Sequence, residues 1–473
     1  MMFNSLKMSK MKRLYILMMF LLTGIMAEAQ TSVWDGGRKL WTHGEGTENN
    51  PYLIESAENL AFLSYMVGKD FKTHGMYFRL TTDIDLNGSE EQPWIPIGLF
   101  IRGFDEDGCD RGNLNDIGYT PQTAFSGHFD GGNHVISNLY VDNPSGYAGL
   151  FGYVDGYITG EEAVIENVFV SGGYIKGSCA GGIVGKGKTL VVSHCRNVAD
   201  VEGNNVGGIV GMGNPKVINC SNAGSLTGID VGGIVGGRTS NSELTECYNE
   251  GTIKASGIGG GILGGTQKAT IVNCYNVGEV AAVGDTSTYF PTAGGLVGIA
   301  SPRLTVRNSY NVGEITGNHH VGCLIGYAPI PENLVFENCY YLDNCFGSEF
   351  GISKSAEEMR DEAFVATLNQ DGVVWGLDEN HVNDGFPVLT RTDLSVGDDD
   401  EGSLKLYPNP TRDVVRIEGV EAAVVQVYNA LGQLVKTIRN SNEIDLQGLP
   451  KGVYALHILG SDGICAAYKV VKE

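Results

Sequence analysis

The chain is 473 residues long, with 55 acidic against 32 basic side chains and a formal net charge of −23. That balance argues against recognition of nucleic acid or an anionic bilayer by charge, and it suits a soluble extracellular surface. The length allows two or three domains, and the 68 glycines, interleaved with Val and Ile and without a three-residue period, exclude collagen and speak against disorder.

At the N-terminus, Lys7, Lys10, Lys12 and Arg13 precede an apolar run from Leu14 to Met26, and Ala27-Glu28-Ala29 places small residues where a signal peptidase reads. Residues 1–29 therefore read as a signal peptide. No other stretch reaches about 18 apolar residues, so no membrane span is expected in the mature chain. Residues 30–148 read as an N-terminal cap and the first coils of a repeat stack. Ser56 is a good N-cap, and Leu60, Leu63, Met66 and Val67 follow at helical spacing. Asp83 and Asp85 alternate on a predicted strand and share a face, either as an acid–base pair or as a solvated strand surface. An insertion over 100–122 carries Asp105, Glu106, Asp107 and Asp110, hard oxygen ligands that suit Ca²⁺, although the order lacks the sixth-position glycine of an EF-hand loop. Asp105, Asp107 and Asp110 are the candidate metal ligands. No other cofactor is expected.

From 149 to 345 one phrase returns seven times, as in Gly181-Gly182-Ile183-Val184-Gly185 and Gly207-Gly208-Ile209-Val210-Gly211, at intervals of 25 to 34 residues. A second phrase follows in each copy, as in Glu246-Cys247-Tyr248-Asn249 and Asn273-Cys274-Tyr275-Asn276. Apolar residues stand three before the Cys position (Val192, Val217, Leu244, Ile271, Val306) and six after it (Val201, Leu226, Ile253, Val280, Ile315). Three short strands in this interval fit one triangular coil of a parallel β-helix better than a four-stranded propeller blade. Cys195, Cys220, Cys247, Cys274 and Cys339 then stack on successive coils, and their Cβ spacing favours a column of free thiols over disulfides. The asparagines two after the Cys position form a predicted ladder of side-chain amides at a corner of the coil.

Tyr248, Tyr275, Tyr310 and Tyr340 lie between the Cys and Asn columns. If they face outward they form a ring platform for sugars; yet they share strand parity with the inward apolar residue three before Cys. Either a bend intervenes or the tyrosines are buried. His319 and His320 are adjacent, which on a strand would point them to opposite sides. No nucleophile elbow, zinc-protease motif or phosphate loop occurs, so no catalytic residue is assigned.

These repeats resemble the GLUG motif, whose Gly-Leu-hydrophobic-Gly core recurs in bacterial surface and secreted proteins. The resemblance implies a β-helical stack rather than a chemistry. Residues 346–392 read as a C-terminal cap, with Ser355-Ala356-Glu357-Glu358 as a capping box. Residues 393–402 read as an acidic linker.

Residues 403–473 change character, with short strands separated by turns. Tyr407-Pro408-Asn409-Pro410, the turn ending at Gly432, Gly452-Val453-Tyr454, and the terminal Lys469-Val470-Val471-Lys472 resemble the type A C-terminal sorting domain of the type IX secretion system. That resemblance implies an Ig-like β-sandwich, recognition by the type IX machinery and its sortase, and display at the outer surface of a Gram-negative cell or release from it. The expectation is thus an all-β chain, a triangular parallel β-helix with short capping helices followed by a small sandwich. Its expected partner is an extracellular glycan or surface protein, met in an adhesin-like role. A polysaccharide lyase or hydrolase and a passive stalk are the alternatives.

Overall fold

One residue in each repeat adopts a left-handed backbone, and it determines which side chains enter the core. Asn167, His194, Asn219, Glu246, Asn273, Asn308 and Asn338 have φ between 46° and 55°. Asparagine tolerates this region because its short amide can bond locally. The turn resets the in–out alternation of the strand. Val192 and Cys195, Val217 and Cys220, Leu244 and Cys247, and Ile271 and Cys274 therefore all face inward, each at most 1% exposed.

These features come from a computed structural model that describes residues 31–98, 123–156, 160–285, 290–345, 347, 350–378, 383–390, 405–407, 411–418, 422–429, 434–439, 441–460 and 465–472. The expected signal peptide 1–29, the acid-rich stretch with Asp105, Asp107 and Asp110, and the expected linker 393–402 lie outside the described residues. The chain divides into two units, 1–389 and 390–473.

In the first unit 31 strands among the described residues join a single wound sheet, and its strand pairings are parallel. One coil contributes Val184–Lys188, Leu190–Ser193, Arg196–Asn197 and Asp200–Gly207. These pair in register with Val210–Gly213, Lys216–Ile218, Ser221–Asn222 and Leu226–Gly232 of the next. Each of these coils has four paired segments where the sequence pattern predicts three. The two residues after the Cys position form a ladder of their own, because the left-handed residue separates them from the preceding strand.

The asparagine ladder sits at that ladder. Asn197 donates to Asn222 (2.9 Å), Asn222 to Asn249 (2.8 Å), Asn249 to Asn276 (2.8 Å) and Asn276 to Asn311 (2.8 Å). Each amide also bonds the backbone two residues on, so its donors and acceptor are satisfied in a dry interior. Above it lies the second glycine of the first phrase. A Cβ on Gly233 would stand 1.9 Å from the Gly261 carbonyl oxygen and 2.7 Å from the Asn249 side chain. The two repeated phrases are therefore two halves of one packing contact. The ladder stops where Tyr341 takes the asparagine position beside Asn311. In that coil Cys323 replaces the second glycine and forms a disulfide with Cys345, while Cys179, Cys195, Cys220, Cys247, Cys274 and Cys339 are buried thiols outside any disulfide.

Helix α1 (Ala57–Gly68), capped by Ser56, buries Leu60, Leu63 and Val67 in the same core as Trp34, Trp41 and Phe78. Helices α2 (Ala356–Met359) and α3 (Glu362–Leu368) follow the repeats, and Ser355 and Glu358 form the reciprocal capping box. In the second unit, strands Lys405–Tyr407, Val414–Glu418 and Glu443–Asp445 form one antiparallel sheet. Strands Ala422–Asn429, Leu434–Arg439, Gly452–Gly460 and Cys465–Lys472 form another. Val415, Ile417, Ile444, Val425, Val427, Leu456 and Val470 from both sheets share one core.

Candidate functional site

The tyrosine column is not an open platform. Its rings do stack, Tyr248 on Tyr275 at 4.8 Å and Tyr275 on Tyr310 at 5.2 Å, pointing away from the coil interior. However, Met359 of α2, Phe364 and Leu368 of α3, Trp375 and Phe386 lie over them, and Tyr275, Tyr310 and Tyr340 are 3%, 0% and 4% exposed. Tyr310 donates its hydroxyl to the Pro387 carbonyl at 2.5 Å and accepts from Asn383 at 2.9 Å. Burial pushes the Tyr275 and Tyr310 phenols well up. Tyr248 is half-buried, and its hydroxyl accepts from Arg196. The ligand-binding reading of Tyr248, Tyr275, Tyr310 and Tyr340 is corrected accordingly: the C-terminal helices lie along the flank of the stack and use the rings as packing surface.

Asp83 and Asp85 are structural. Asp83 accepts from the Val135 amide at 2.9 Å and pairs with His134 at 3.1 Å, while Asp85 accepts from Asn138 at 2.8 Å and the Asn87 amide at 2.7 Å. Among the described residues no cluster of three or more His, Cys, Asp or Glu could hold a metal ion.

The structure also brings together residues that carry no sequence motif. Along strands Phe169–Gly181, Asp200–Gly207, Leu226–Gly232 and Ile253–Gly260, the partners Lys176, Glu202, Thr227 and Lys254 form one outward row. Gly177, Gly203 and Gly228 form the row beside it, and together these rows line a groove of about 480 Å³ across four coils. Each step of the row is about 4.8 Å, the spacing of hydrogen-bonded strands. Glu202 ties the near wall together, accepting from Tyr174 Oη at 2.5 Å and from Lys176 Nζ at 2.8 Å. The hydrogen bond to Glu202 raises the Lys176 ammonium, the bonds from Lys176 and Tyr174 hold the Glu202 carboxyl below its usual range, and burial raises the Tyr174 phenol. Lys254 is exposed and forms no ion pair with a described residue. Aligning the repeats on Ile175, Val201, Leu226 and Ile253 would have exposed this row, because each of its members is the next residue. A second cleft of about 500 Å³ is lined by Arg307, Asn308, Glu337 and Asp371. Those side chains engage one another, Arg307 with Glu337 at 2.5 Å and Asn308 with Asp371 at 3.2 Å.

Of the sorting-signal residues, Pro408, Asn409, Pro410 and Gly432 lie outside the described residues. Tyr407 ends the first strand of its sheet opposite Arg416, and Lys469 pairs with Ala455 across the last hairpin. Gly452 opens its strand at φ 154°, and buried Tyr454 donates to the Pro450 carbonyl at 2.6 Å. Lys472 is 7% exposed and donates to the carbonyls of Leu446 (2.8 Å) and Leu449 (2.9 Å), with Asp413 at 3.1 Å.

Residues 405–473 match the family described as the secretion system C-terminal sorting domain. This segment marks the chain as cargo of a type IX secretion system, exported to the cell surface or beyond. Elsewhere the similarities are partial. A protein described as a Gly-rich membrane protein of Evansella cellulosilytica is 30% identical over 158 residues, 33% of this chain. Halomucin of Haloquadratum walsbyi is 31% identical over 170 residues, 36% of this chain. An ulvan lyase of Nonlabens ulvanivorans is 35% identical over 80 residues, 16% of this chain. The matched stretches span 15%, 2% and 15% of those three proteins. Among solved structures, an IgA1 protease aligns with a TM-score of 0.39 at 15% identity, over 70% of this chain and 26% of that one. No described helix is long and apolar enough to cross a membrane.

Proposed function

We propose that this chain is a surface-displayed, adhesin-like protein that holds an extended acidic polysaccharide in the groove over Lys176, Glu202 and Lys254. With a signal peptide at 1–29, the route would be Sec export, type IX translocation, removal of the sorting domain by the sortase and attachment of the GLUG-type body to surface lipopolysaccharide.

The observation that carries the reading is the groove: an open channel crossing four coils, with glycines along its length and an exposed Lys254 that forms no ion pair among the described residues. A linear polymer fits a channel whose polar groups repeat at a fixed step, and a uronate carboxylate or sulfate supplies a counter-charge for the exposed Lys254. Lys176 is held in place by Glu202, so little side-chain freedom is lost there on binding. The same electrostatics favour binding over catalysis. Glu202 is lowered while Lys176 and Tyr174 are raised, so none of the three is tuned toward neutral pH as a general acid or base would be. The ligand class rests on this chemistry, since the match to the ulvan lyase reaches only 16% of the chain.

The test is affinity electrophoresis of the full chain in gels containing alginate, polygalacturonate, chondroitin sulfate or neutral laminarin. We expect retardation in at least one acidic gel, and an affinity about tenfold lower for Lys254→Ala. Equal mobility in all gels, or retention indifferent to Lys254→Ala, would refute the proposal.

A further inference from the structure

Beyond Lys254 the outward row continues through Ala281 and Thr316 of the next two coils. At that end Val283 lines the groove and is 62% exposed, and Asn318 clasps the adjacent Gly284, donating to its carbonyl at 2.9 Å. The chain then turns, and four rings meet in sequence. Phe290 lies 4.6 Å from His319, His319 lies 4.1 Å from His320, and His320 stacks on Tyr327 at 4.3 Å and 21°. The bend at His319 brings the adjacent imidazoles together, where an extended strand would have pointed them apart.

The rings are anchored to the sheet at His320 and Tyr327. Strand His320–Gly322 pairs with Thr292–Gly294, Ile325–Tyr327 pairs with the strand that begins at Val297, and the His320 amide donates to the Pro291 carbonyl at 3.0 Å. They are nonetheless open to solvent, Phe290 at 63% and Tyr327 at 41%. Aromatic surface left exposed at the mouth of a groove forgoes the stabilisation of burial. Three of the four rings also carry a polar edge, imidazole nitrogen or phenol, beside an apolar face. Burial and His319 hold His320 below its ordinary value, so its ring is uncharged at neutral pH.

We propose that Phe290, His319, His320 and Tyr327 form an aromatic subsite that stacks against the apolar face of a pyranose ring, in the same polysaccharide that the groove holds. The inference rests on the groove reading and assigns it a second contact. Two features select a sugar as the occupant. The strip begins one residue past Asn318, whose amide holds Gly284 beside the groove-lining Val283, so one linear polymer reaches both. A flat face edged by hydrogen-bonding atoms also matches a ring that is apolar on its face and hydroxylated at its rim.

The experiment uses the full chain and compares Phe290→Ala/Tyr327→Ala, Tyr327→Phe and Lys254→Ala in the same four gels. Calorimetric titration then follows with short and long oligosaccharides of whichever polymer binds. Both alanine positions are exposed, and thermal melts check that the variants remain folded. The expected result is an affinity about tenfold lower for the double variant on long oligosaccharides, little change on short ones, and retention by Tyr327→Phe, which keeps the stacking face. Unchanged binding of the double variant while Lys254→Ala loses affinity overturns the strip and leaves the groove. Loss in the double variant with Lys254→Ala unaffected overturns the groove reading and with it the shared-polymer claim. Failure of every polymer to bind overturns both.

Discussion

At the scale of single residues, the repeat is governed by one left-handed position and one amide. Asn occupies the left-handed position in most coils, but Glu246 stands there at φ 55°. A longer side chain pays more for this conformation than the short amide of asparagine, of the order of 1 kcal/mol. Glu246→Asn is therefore expected to stabilise the stack by about 1 kcal/mol, read as a higher urea midpoint at unchanged slope. The asparagine two residues after each Cys was legible in the sequence as a ladder. Its contact with the second glycine was not, because the two are separated along the chain and meet only when the coil closes on itself. The groove residues were similarly hidden: Lys176, Glu202 and Lys254 carry no motif, and only the register between coils sets them side by side.

Among the elements, the C-terminal helices and the last strand behave unlike free-standing signals. Ser355 and Glu358 fix where α2 begins, but nothing local says which surface the helices will cover. That surface is the tyrosine column, where Trp375 lies 5.8 Å from Tyr275 and 5.5 Å from Tyr310. Trp375→Ala should destabilise the first unit by roughly 3–5 kcal/mol and expose the ladder. The measurement is a thermal melt, with tyrosine emission quenched by acrylamide as the second readout; an unchanged melt would show that the cap contributes little. In the second unit Lys472 engages two backbone carbonyls rather than projecting into solvent. Lys472→Met removes those donors and is expected to cost about 1–3 kcal/mol. Hydrogen exchange should then accelerate across Gly452–Gly460 and Cys465–Lys472. Secretion lost with exchange unaltered would instead make Lys472 a direct recognition contact.

At the scale of the whole molecule, the first unit is a stack in which each coil is stabilised chiefly by its neighbours. Both of its ends have local finishing devices. Near the start, α1 packs Leu60, Leu63 and Val67 into the common core; near the finish, Cys323 and Cys345 join the last coil to the loop beyond it. Function follows from the same linearity. A row of side chains one strand apart is a natural track for a polymer, and the two proposed contacts are Lys254 on that row and the strip from Phe290 to Tyr327, which begins beside Asn318 at the row's far end. An oligosaccharide too short to span both should therefore bind more weakly than a long one, by a margin that the double strip variant abolishes.

The sequence by itself determined the period, the parallel stack, the free thiols, the asparagine ladder and the sorting domain, because each is a local pattern repeated or a motif of contiguous residues. Tertiary structure decided the fate of the tyrosines, the partner of Cys323, the meeting of His319 with His320 and the existence of the groove. The physical reason is the same in each case. Alternation along a strand says which side chains leave the core, but only the packing of other coils and the cap says whether those side chains meet water, another ring or each other.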